Sequence, residues 1–390
     1  MTTLPTPSRS LTDAEVLGRA TALAADFATR AAEHDRDASF PFENFEALRD
    51  AGLLSLTIPV EHGGLGAGLG LSCRVVQEIA GGDASTALVL AMQYIFHAGF
   101  ARGRQIPRAV YKRLCRESVE GIALINALRV EPELGTPSRG GLPATTATET
   151  AEGWRLSGHK IYGTGSPILR YFLVWARTAG DAPRMGMFLL PLAAPGVRVV
   201  ETWNHMGMRA TGSHDIVMED VLLPPEYALD VRPPAEWGAP DPTVGAWNAL
   251  VLAALYHGVA VAARDWLAGY LNDRTPANLG ASLATLPRFQ TAVGEIEALL
   301  FTSQRLLDST AAAFDAGQAQ PPNTASMVKY TVTNNAVRAV DIALGLVGNP
   351  GLSRTHPLER HHRDVLCSRI HSPQDDMILL AAGKGRLGMA

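Results

Sequence analysis

The sequence predicts a mainly α-helical protein with a β domain at its centre, because the pattern of apolar residues changes twice along the 390 residues. From Thr12 to about Glu120 apolar residues recur at intervals of three and four, as on one face of a helix. From about residue 121 to 235, short runs of β-branched and aromatic residues are broken by glycine and proline, which is typical of strands. Long Ala/Leu/Val helices then run almost to the end. We therefore predict three domains, at residues 1–120, 121–235 and 236–390.

The first helix has a recognisable start signal. Thr12-Asp-Ala-Glu15 fits a capping box, in which the threonine and glutamate side chains each bind a free backbone amide. The preceding residues, MTTLPTPSRS, lack the apolar core of a signal peptide, so we expect a short tail before the helix.

Charge and cysteine content exclude several classes of function. The formal net charge is -4 and no run of lysine or arginine is present, so we expect no nucleic acid partner. The three cysteines, Cys73, Cys115 and Cys367, lack metal-type spacing and are odd in number. We therefore expect reduced thiols and a cytoplasmic protein.

One segment is long and apolar enough to suggest a membrane span. Residues 244–263 are almost entirely apolar, and an apolar stretch of this length matches a transmembrane helix. Asn248 and His257 lie inside the segment, and alanine and glycine dominate over leucine and isoleucine. We therefore favour a helix buried on all sides within a helical bundle, and we expect no membrane association.

Four stretches in order carry a resemblance to a known family. They are LRDAGLLSLTIPVEHGGLGAG at 48–68, GGDASTALVLAMQYIFH at 81–97, GWRLSGHKIYGTGS at 153–166 and MGMRATGSHDIVMEDVLLP at 206–224. Together they resemble the acyl-CoA dehydrogenase superfamily over nearly the whole chain. The resemblance implies a flavoprotein with an N-terminal helical domain, a small β-barrel and a C-terminal four-helix bundle. The family usually forms homotetramers, with the flavin between barrel and bundle.

The resemblance assigns flavin contacts in the β domain. Lys160-Ile-Tyr-Gly-Thr164 is similar to the family's Lys-x-Trp-x-Thr pattern, with Tyr162 packed on the isoalloxazine ring and the Thr164 hydroxyl near its N5 edge. Strand alternation would place both side chains on one face, although an ordinary half-buried strand has the same spacing. Glu131-Pro-Glu-Leu-Gly135-Thr136 matches the family's Glu-Pro-x-x-Gly-Ser loop, so Gly135 and Thr136 would approach a cofactor phosphate.

The bundle would supply the other half of the cofactor site. Tyr270-Leu-Asn-Asp-Arg274 resembles the family's Tyr-x-x-x-Arg, whose arginine pairs with the pyrophosphate of a neighbouring subunit's cofactor. Gly348 and Asn349 stand in the region of the family's Gln-x-x-Gly-Gly loop, where Gly345 replaces the glutamine and Asn349 the second glycine. We expect FAD as cofactor, with FMN as the alternative that these departures leave open.

Neither position that holds the catalytic base in the family carries a carboxylate here. The family's dehydrogenases use a glutamate to remove a proton while hydride passes to the flavin. Its two locations align with Asn248 and Ser372. The chemistry is therefore absent or uses another residue, and Asp375 is a candidate base for an activated C–H bond.

The segment 359–376, ERHHRDVLCSRIHSPQDD, holds the candidate catalytic histidine. Ser372 and Pro373 predict a helix start, with serine as N-cap. His371 would then lie at the positive helix end as a neutral imidazole, able to accept a proton or to bind a reduced oxygen species. In the family's two-component monooxygenases a histidine occupies this place, and His97 would line the same pocket. The alternative is a core histidine without a catalytic role.

The other histidines of this segment predict no metal site. His361 and His362 are adjacent and point in different directions on any helix, so they cannot converge on one ion with His356 and His371. We expect His361 and His362 to lie on a solvated or subunit-facing surface.

These observations predict a flavin-dependent oxidoreductase acting on a small-molecule substrate. We favour monooxygenase-like chemistry in which reduced flavin comes from a separate reductase. One alternative is an acyl-CoA dehydrogenase with a relocated base, acting on an acyl-CoA and passing electrons to an electron-transfer flavoprotein. Another is a non-catalytic flavin or acyl-CoA binding protein.

Overall fold

The computed structural model describes residues 11–102, 106–135, 141–237 and 242–389. The first part of the chain is helical, with α1 (Asp13–Ala28), α2 (Ala31–Asp37), α3 (Phe42–Asp50), α4 (Leu69–Gly82), α5 (Ala84–Ala101) and α6 (Arg108–Glu120). The predicted capping box opens α1: Glu15 N donates to Thr12 Oγ1 at 3.3 Å, and Thr12 N donates to Glu15 Oε2 at 2.8 Å. Apolar repeats at three and four therefore predicted the helical character of this region correctly.

The middle of the chain forms one eight-stranded sheet. Its strands are β1 (Leu124–Leu128), β2 (Thr146–Thr150), β3 (Gly153–Gly163), β4 (Leu169–Thr178), β5 (Met185–Pro191), β6 (Val197–Val200), β7 (His214–Leu223) and β8 (Ala228–Arg232). The order is β6-β7-β3-β2-β4-β5-β8, and β1 pairs with β4 in parallel.

The sheet is not the closed barrel that the family resemblance implied. Within the described residues, β6 and β8 stand at the two ends of the sheet order and do not pair with each other. A barrel removes its edges by pairing the first strand with the last. Here β2 meets β4 at only two positions, Thr146 with Arg177 and Ala147 with Thr178, so the middle of the sheet is also weakly joined.

The last part of the chain is a bundle of three long helices and two short ones. They are α7 (Pro242–Asp273), α8 (Pro287–Asp315), α9 (Thr324–Val347), α10 (Leu358–Leu366) and α11 (Asp375–Leu387). By length and composition α5 and α7 could cross a membrane, but most of the apolar stretch in each is buried inside the protein. The prediction that 244–263 is a buried helix is therefore confirmed.

Close backbone contact joins α7 to the N-terminal helices. A Cβ added at Gly258 would lie 2.2 Å from the carbonyl oxygen of Gln77, so only glycine allows α7 to approach α4 this closely. Asp315, at the end of α8, accepts hydrogen bonds from the Leu69 and Gly70 amides at the start of α4, at 2.7 and 2.8 Å.

A second junction joins all three parts of the chain at α10. The Arg363 guanidinium donates to both carboxylate oxygens of Asp35, at 2.9 and 2.6 Å, and to the carbonyl of Met206 at 2.6 Å. Asp364 accepts a hydrogen bond from Met208 N at 2.7 Å. The loop before β7 is thereby fixed against the bundle, and this loop borders the candidate site.

Candidate active site

Two sequence motifs meet at a buried ion pair. Lys160 Nζ, on β3, donates to Glu131 Oε1 at 2.7 Å, and both side chains are almost fully buried. Glu131 also accepts hydrogen bonds from the Ala144 and Thr145 amides at 2.7 and 2.9 Å. Although burial opposes ionisation, the hydrogen bonds from Lys160, Thr145 and the amides lower the pKa of Glu131. The pair holds the 131–135 loop against the end of β3.

Gly135 closes this loop with a backbone turn. Gly135 N donates to the Glu131 carbonyl at 2.9 Å, and Glu131 N donates to the Gly135 carbonyl at 3.3 Å. The φ of Gly135 is 69°, in the left-handed region that favours glycine, while no atom of the described residues beyond its chain neighbours lies within 4 Å of an added Cβ. Glycine is therefore required by the backbone conformation and not by lack of space. Thr136, predicted beside it, lies outside the described residues.

The expected alternation at Tyr162 and Thr164 does not hold. Tyr162 has a φ of 62°, and the pairing of β3 with β7 shifts register between Lys160 and Gly163. Regular strand geometry therefore ends before Thr164, which lies just beyond β3. The Tyr162 side chain is nevertheless 48% exposed, and the Thr164 hydroxyl hydrogen-bonds the Ser213 hydroxyl at 2.9 Å. Both remain available to a ligand.

An aromatic cluster that sequence reasoning missed flanks Tyr162. Trp203 and His205 stack with ring centroids 3.7 Å apart, and Tyr162 meets both edge-on at 6.3 and 5.9 Å. His205 Nδ1 is buried and has no hydrogen-bond partner within the described residues. The sequence feature that could have revealed this cluster is the segment Glu-Thr-Trp-Asn-His directly before the 206–224 motif. A partly exposed aromatic surface with a nearby hydroxyl fits a flat, heteroatom-rich ring such as a flavin.

The two empty base positions lie side by side. Asn248 Nδ2, on α7, donates to the Ser372 carbonyl at 2.8 Å. For the alternative carboxylate, Asp375 Oδ2 accepts from Asn334 Nδ2 at 3.0 Å, whereas the buried Asp375 Oδ1 has no hydrogen-bond partner within the described residues and lies 3.6 Å from Lys329 Nζ. The two positions that the sequence aligns with the family's base are therefore in contact, through an amide and a carbonyl.

His371 lies beside this pair. Its Nδ1 hydrogen-bonds the Tyr256 hydroxyl from α7. Burial first, and the charge of Lys329 second, lower the pKa of His371 to about 4. The prediction of a neutral imidazole therefore agrees with the structure, but the reason differs from the one the sequence suggested.

The predicted N-cap at Ser372 is wrong. The helix α11 begins at Asp375, with Gln374 as its N-cap. The Ser372 carbonyl is bound by Asn248 and the Pro373 carbonyl by Lys329, so these tertiary contacts hold the segment outside the helix. His371 therefore lies several residues before the helix start, and its neutrality comes from burial and not from the helix dipole.

His97 lies in a different environment from His371. It is buried between α5 and α6, with Nε2 3.3 Å from the Ser118 hydroxyl and with ring contacts to Phe100 and Tyr111. Burial lowers the pKa of His97 to about 4, and its Nδ1 has no partner within the described residues. The ring and hydrogen-bond contacts of the two histidines within the described residues share no residue, and the pocket that would contain both stays a prediction.

The remaining histidines of the segment occupy separate surroundings. His361 is buried, which contradicts the prediction of a surface position, whereas His362 Nε2 lies 3.0 Å from Asp341 Oδ1 near the surface. His356 packs against the Trp266 ring. The helix α10 is amphipathic, and His361 falls on its inner side together with Leu358 and Val365. Across the described parts of the chain, no group of three metal-ligating side chains comes together.

The predicted pyrophosphate residues lie on helix ends of the bundle. Arg274 follows α7 directly; it is exposed, and its amide donates to the Tyr270 carbonyl at 3.0 Å. Gly348 ends α9 with a φ of 68°, and Asn349 begins the next short turn. Both groups are therefore at the surface of one chain, where a second subunit could meet them.

Comparison with known families identifies the class of this protein. Three sequence profiles match in order: "Acyl-CoA dehydrogenase, N-terminal domain" at 15–105, the middle domain at 130–221 and the C-terminal domain at 246–384. The chain belongs to the acyl-CoA dehydrogenase family, and it is a flavin-dependent oxidoreductase.

Individual relatives divide between two kinds of chemistry. The chain is 34% identical to "Putative acyl-CoA dehydrogenase YdbM" of Bacillus subtilis, over 94% of both chains. It is 30% identical to "Amino sugar nitrososynthase DnmZ" of Streptomyces peucetius, over 85% of this chain and 83% of that one. Among solved structures it matches KijD3, in complex with FMN and a dTDP-linked amino sugar, with a TM-score of 0.85 and 29% identity over 99% of this chain and 95% of that one.

Proposed function

We propose that this protein is a flavin-dependent monooxygenase that uses reduced flavin and molecular oxygen to oxidise a small organic substrate. The observation that supports the proposal is the hydrogen bond between Asn248 and the Ser372 carbonyl, because the two positions that align with the family's base hold groups that cannot accept a proton at neutral pH. Asp375, the other carboxylate considered, accepts a hydrogen bond from Asn334 through Oδ2, and its Oδ1 lies 3.6 Å from the Lys329 ammonium group.

The residues of the β domain would hold the flavin ring. Tyr162, Trp203 and His205 would pack beside it, and Thr164 would hydrogen-bond its edge. Bound reduced flavin supplies the electrons that activate oxygen. Gly135 and Thr136 would lie near a cofactor phosphate, and Arg274, Gly348 and Asn349 would meet the far half of FAD across a subunit contact in a homotetramer.

His371 is the group we assign to the reacting atoms. It is neutral at physiological pH, because burial lowers its pKa to about 4, and it directly precedes Ser372 in the chain. A neutral imidazole can hydrogen-bond an oxygen species or a substrate without adding charge to the site. His97 remains a second candidate, since it is also neutral and has an unpartnered ring nitrogen.

The relatives suggest where a substrate search should begin. Proteins named as amino sugar nitrososynthases match this chain over most of its length, so amines on a sugar ring are the first substrates to test. A separate flavin reductase would supply the reduced cofactor. The second candidate is a dehydrogenase of acyl-CoA thioesters. The 34% identity to the Bacillus subtilis protein supports it, because this identity is higher than that to the nitrososynthases.

A pair of measurements on the purified protein separates the two candidates. We expect no bleaching of oxidised flavin when the FAD-loaded protein is titrated anaerobically with acyl-CoA thioesters of several chain lengths. We also expect oxygen-dependent oxidation of an amino sugar when chemically reduced FMN or FAD is supplied. Bleaching by a thioester would establish the dehydrogenase and end the monooxygenase proposal.

A further inference from the structure

Tyr256 makes a contact that fixes the chemistry of His371. The tyrosine lies on α7, is fully buried, and hydrogen-bonds His371 Nδ1 through its hydroxyl. Burial raises the pKa of Tyr256 well above its usual value, so the phenol keeps its proton. Its hydroxyl hydrogen-bonds no other group in the described parts of the chain. The phenol must therefore donate to Nδ1, and the neutral imidazole then carries its own proton on Nε2.

Lys329 fixes the main chain of the same segment. Its ammonium group, fully buried on α9, donates to the carbonyls of Ser368, His371 and Pro373 at 3.2, 3.1 and 3.0 Å. Three carbonyls match the three donors of an ammonium group. The nearest carboxylate, that of Asp375, is 3.6 Å away. The ring of His371 is thus held by α7 and its backbone by α9, while its Nε2 has no protein partner within the described residues.

We propose that Tyr256 is a positioning residue that holds His371 as the Nε2–H tautomer, while Lys329 fixes the main chain of the same segment, so that the histidine acts as a hydrogen-bond donor to the oxygen species or substrate. The tautomer follows from the contacts within this chain, and its use in the reaction rests on the proposed function. A proton-accepting role for His371 at Nδ1 is excluded by this arrangement, because that nitrogen is already occupied by the phenol.

The tautomer can be measured without any activity. Solid-state ¹⁵N NMR of histidine-labelled protein separates protonated from unprotonated ring nitrogens, and the His371→Asn variant identifies the signals of His371. We expect a protonated Nε2 and an unprotonated, hydrogen-bonded Nδ1. Tyr256→Phe should shift the Nδ1 signal. The matched control is Tyr94→Phe, which removes another fully buried phenol that donates to the Leu53 carbonyl at 2.8 Å. A protonated Nδ1 in the parent protein, or identical spectra of parent and Tyr256→Phe, would overturn the proposal.

Activity provides the second arm of the test. Glutamine can place a donor amide near the position of Nε2, whereas asparagine can only replace Nδ1. We expect His371→Gln to keep at least about tenfold more oxygenase turnover than His371→Asn, and Tyr256→Phe to lower kcat about tenfold with little change in KM. Greater activity of the asparagine variant would refute donation from Nε2. If the parent protein shows no oxygenase activity, the proposed function fails, and the NMR measurement still decides the tautomer.

Discussion

At the scale of single residues, the Lys160–Glu131 pair is a buried ion pair near the site in which each charge depends on its partner. Replacing Lys160 by methionine would leave the Glu131 carboxylate buried without its cation. We expect this to lower the free energy of unfolding by about 3–5 kcal/mol, because an uncompensated buried charge is costly. Denaturant unfolding of the purified variant measures the change.

A matched control lies on the same strand. Arg155, on β3, pairs with Asp220 at 2.5 Å in a largely exposed position. Arg155→Met should cost only about 0–1 kcal/mol, since water screens exposed ion pairs. If both variants lowered the free energy of unfolding equally, burial would not be the reason why the Lys160–Glu131 pair contributes to stability.

The buried histidines predict a loss of stability in acid. The pKa of His97 is about 4 in the folded protein against 6.5 for the free side chain, so only the unfolded chain takes up a proton between these values. The contribution of His97 to stability should be unaffected above about pH 6.5 and should fall as the pH drops toward 4. For His97 alone the free energy of unfolding should fall by about 3 kcal/mol at most.

The variant His97→Leu separates this effect from catalysis. Because leucine cannot be protonated, the melting temperature of the variant should fall less than that of the parent between pH 7.5 and pH 5. Thermal unfolding of parent and variant across this pH range checks the expectation. An equal dependence of melting temperature on pH in both proteins would contradict it. Oxygenase turnover of the same variant at pH 7.5 shows whether His97 also contributes to the reaction.

Single residues also mark the limit of sequence reasoning at the site. The sequence pointed to His371 through the family resemblance and through a helix start at Ser372 that the structure does not have. Tyr256 and Lys329 gave no such signal, since each meets His371 only after the bundle has folded. A lone lysine within the apolar pattern of α9 was the one hint available.

At the scale of elements, the flavin platform depends on the end of β3. Tyr162 is exposed, and its ring meets Trp203 and His205 edge-on. We expect Tyr162→Ala to weaken flavin binding about two- to tenfold, because an aromatic pair contributes about 0.5–1.5 kcal/mol. Isothermal titration with FMN and with FAD measures the affinity.

The control for this prediction lies on the neighbouring strand. Leu222, on β7, is 43% exposed and belongs to none of the contacts of the aromatic cluster. Leu222→Ala should leave flavin affinity unchanged. If Tyr162→Ala also leaves it unchanged, the flavin does not bind against this cluster.

Element boundaries were predictable where the signal was local. The capping box at Thr12 and the burial of the long apolar helix both followed from neighbouring residues. The start of α11 did not, because Asn248 and Lys329 bind the carbonyls of Ser372 and Pro373 from distant parts of the chain. The open sheet was missed for a similar reason, since strand order depends on pairings that no local pattern reports.

At the scale of the whole molecule, the site is assembled from all three parts of the chain. Arg363 connects Asp35 of the N-terminal helices with Met206 beside the aromatic cluster, and it lies on α10, a few residues before His371. The loop that carries Trp203 and His205 is therefore fixed relative to the bundle.

The assembly of several chains gives the last prediction. Arg274 is exposed at the end of α7, where the family resemblance places it against the pyrophosphate of a neighbouring subunit's FAD. We expect Arg274→Ala to weaken FAD binding at least about tenfold, because a charge-assisted hydrogen bond is worth about 1.5–3 kcal/mol. FMN lacks the pyrophosphate, so its affinity should not change. Arg288→Ala, near the start of α8, is the control, since Arg288 contacts only the Phe289 ring in the described residues. Equal loss of FAD and FMN affinity, or a monomer in sedimentation velocity, would rule out the cross-subunit role.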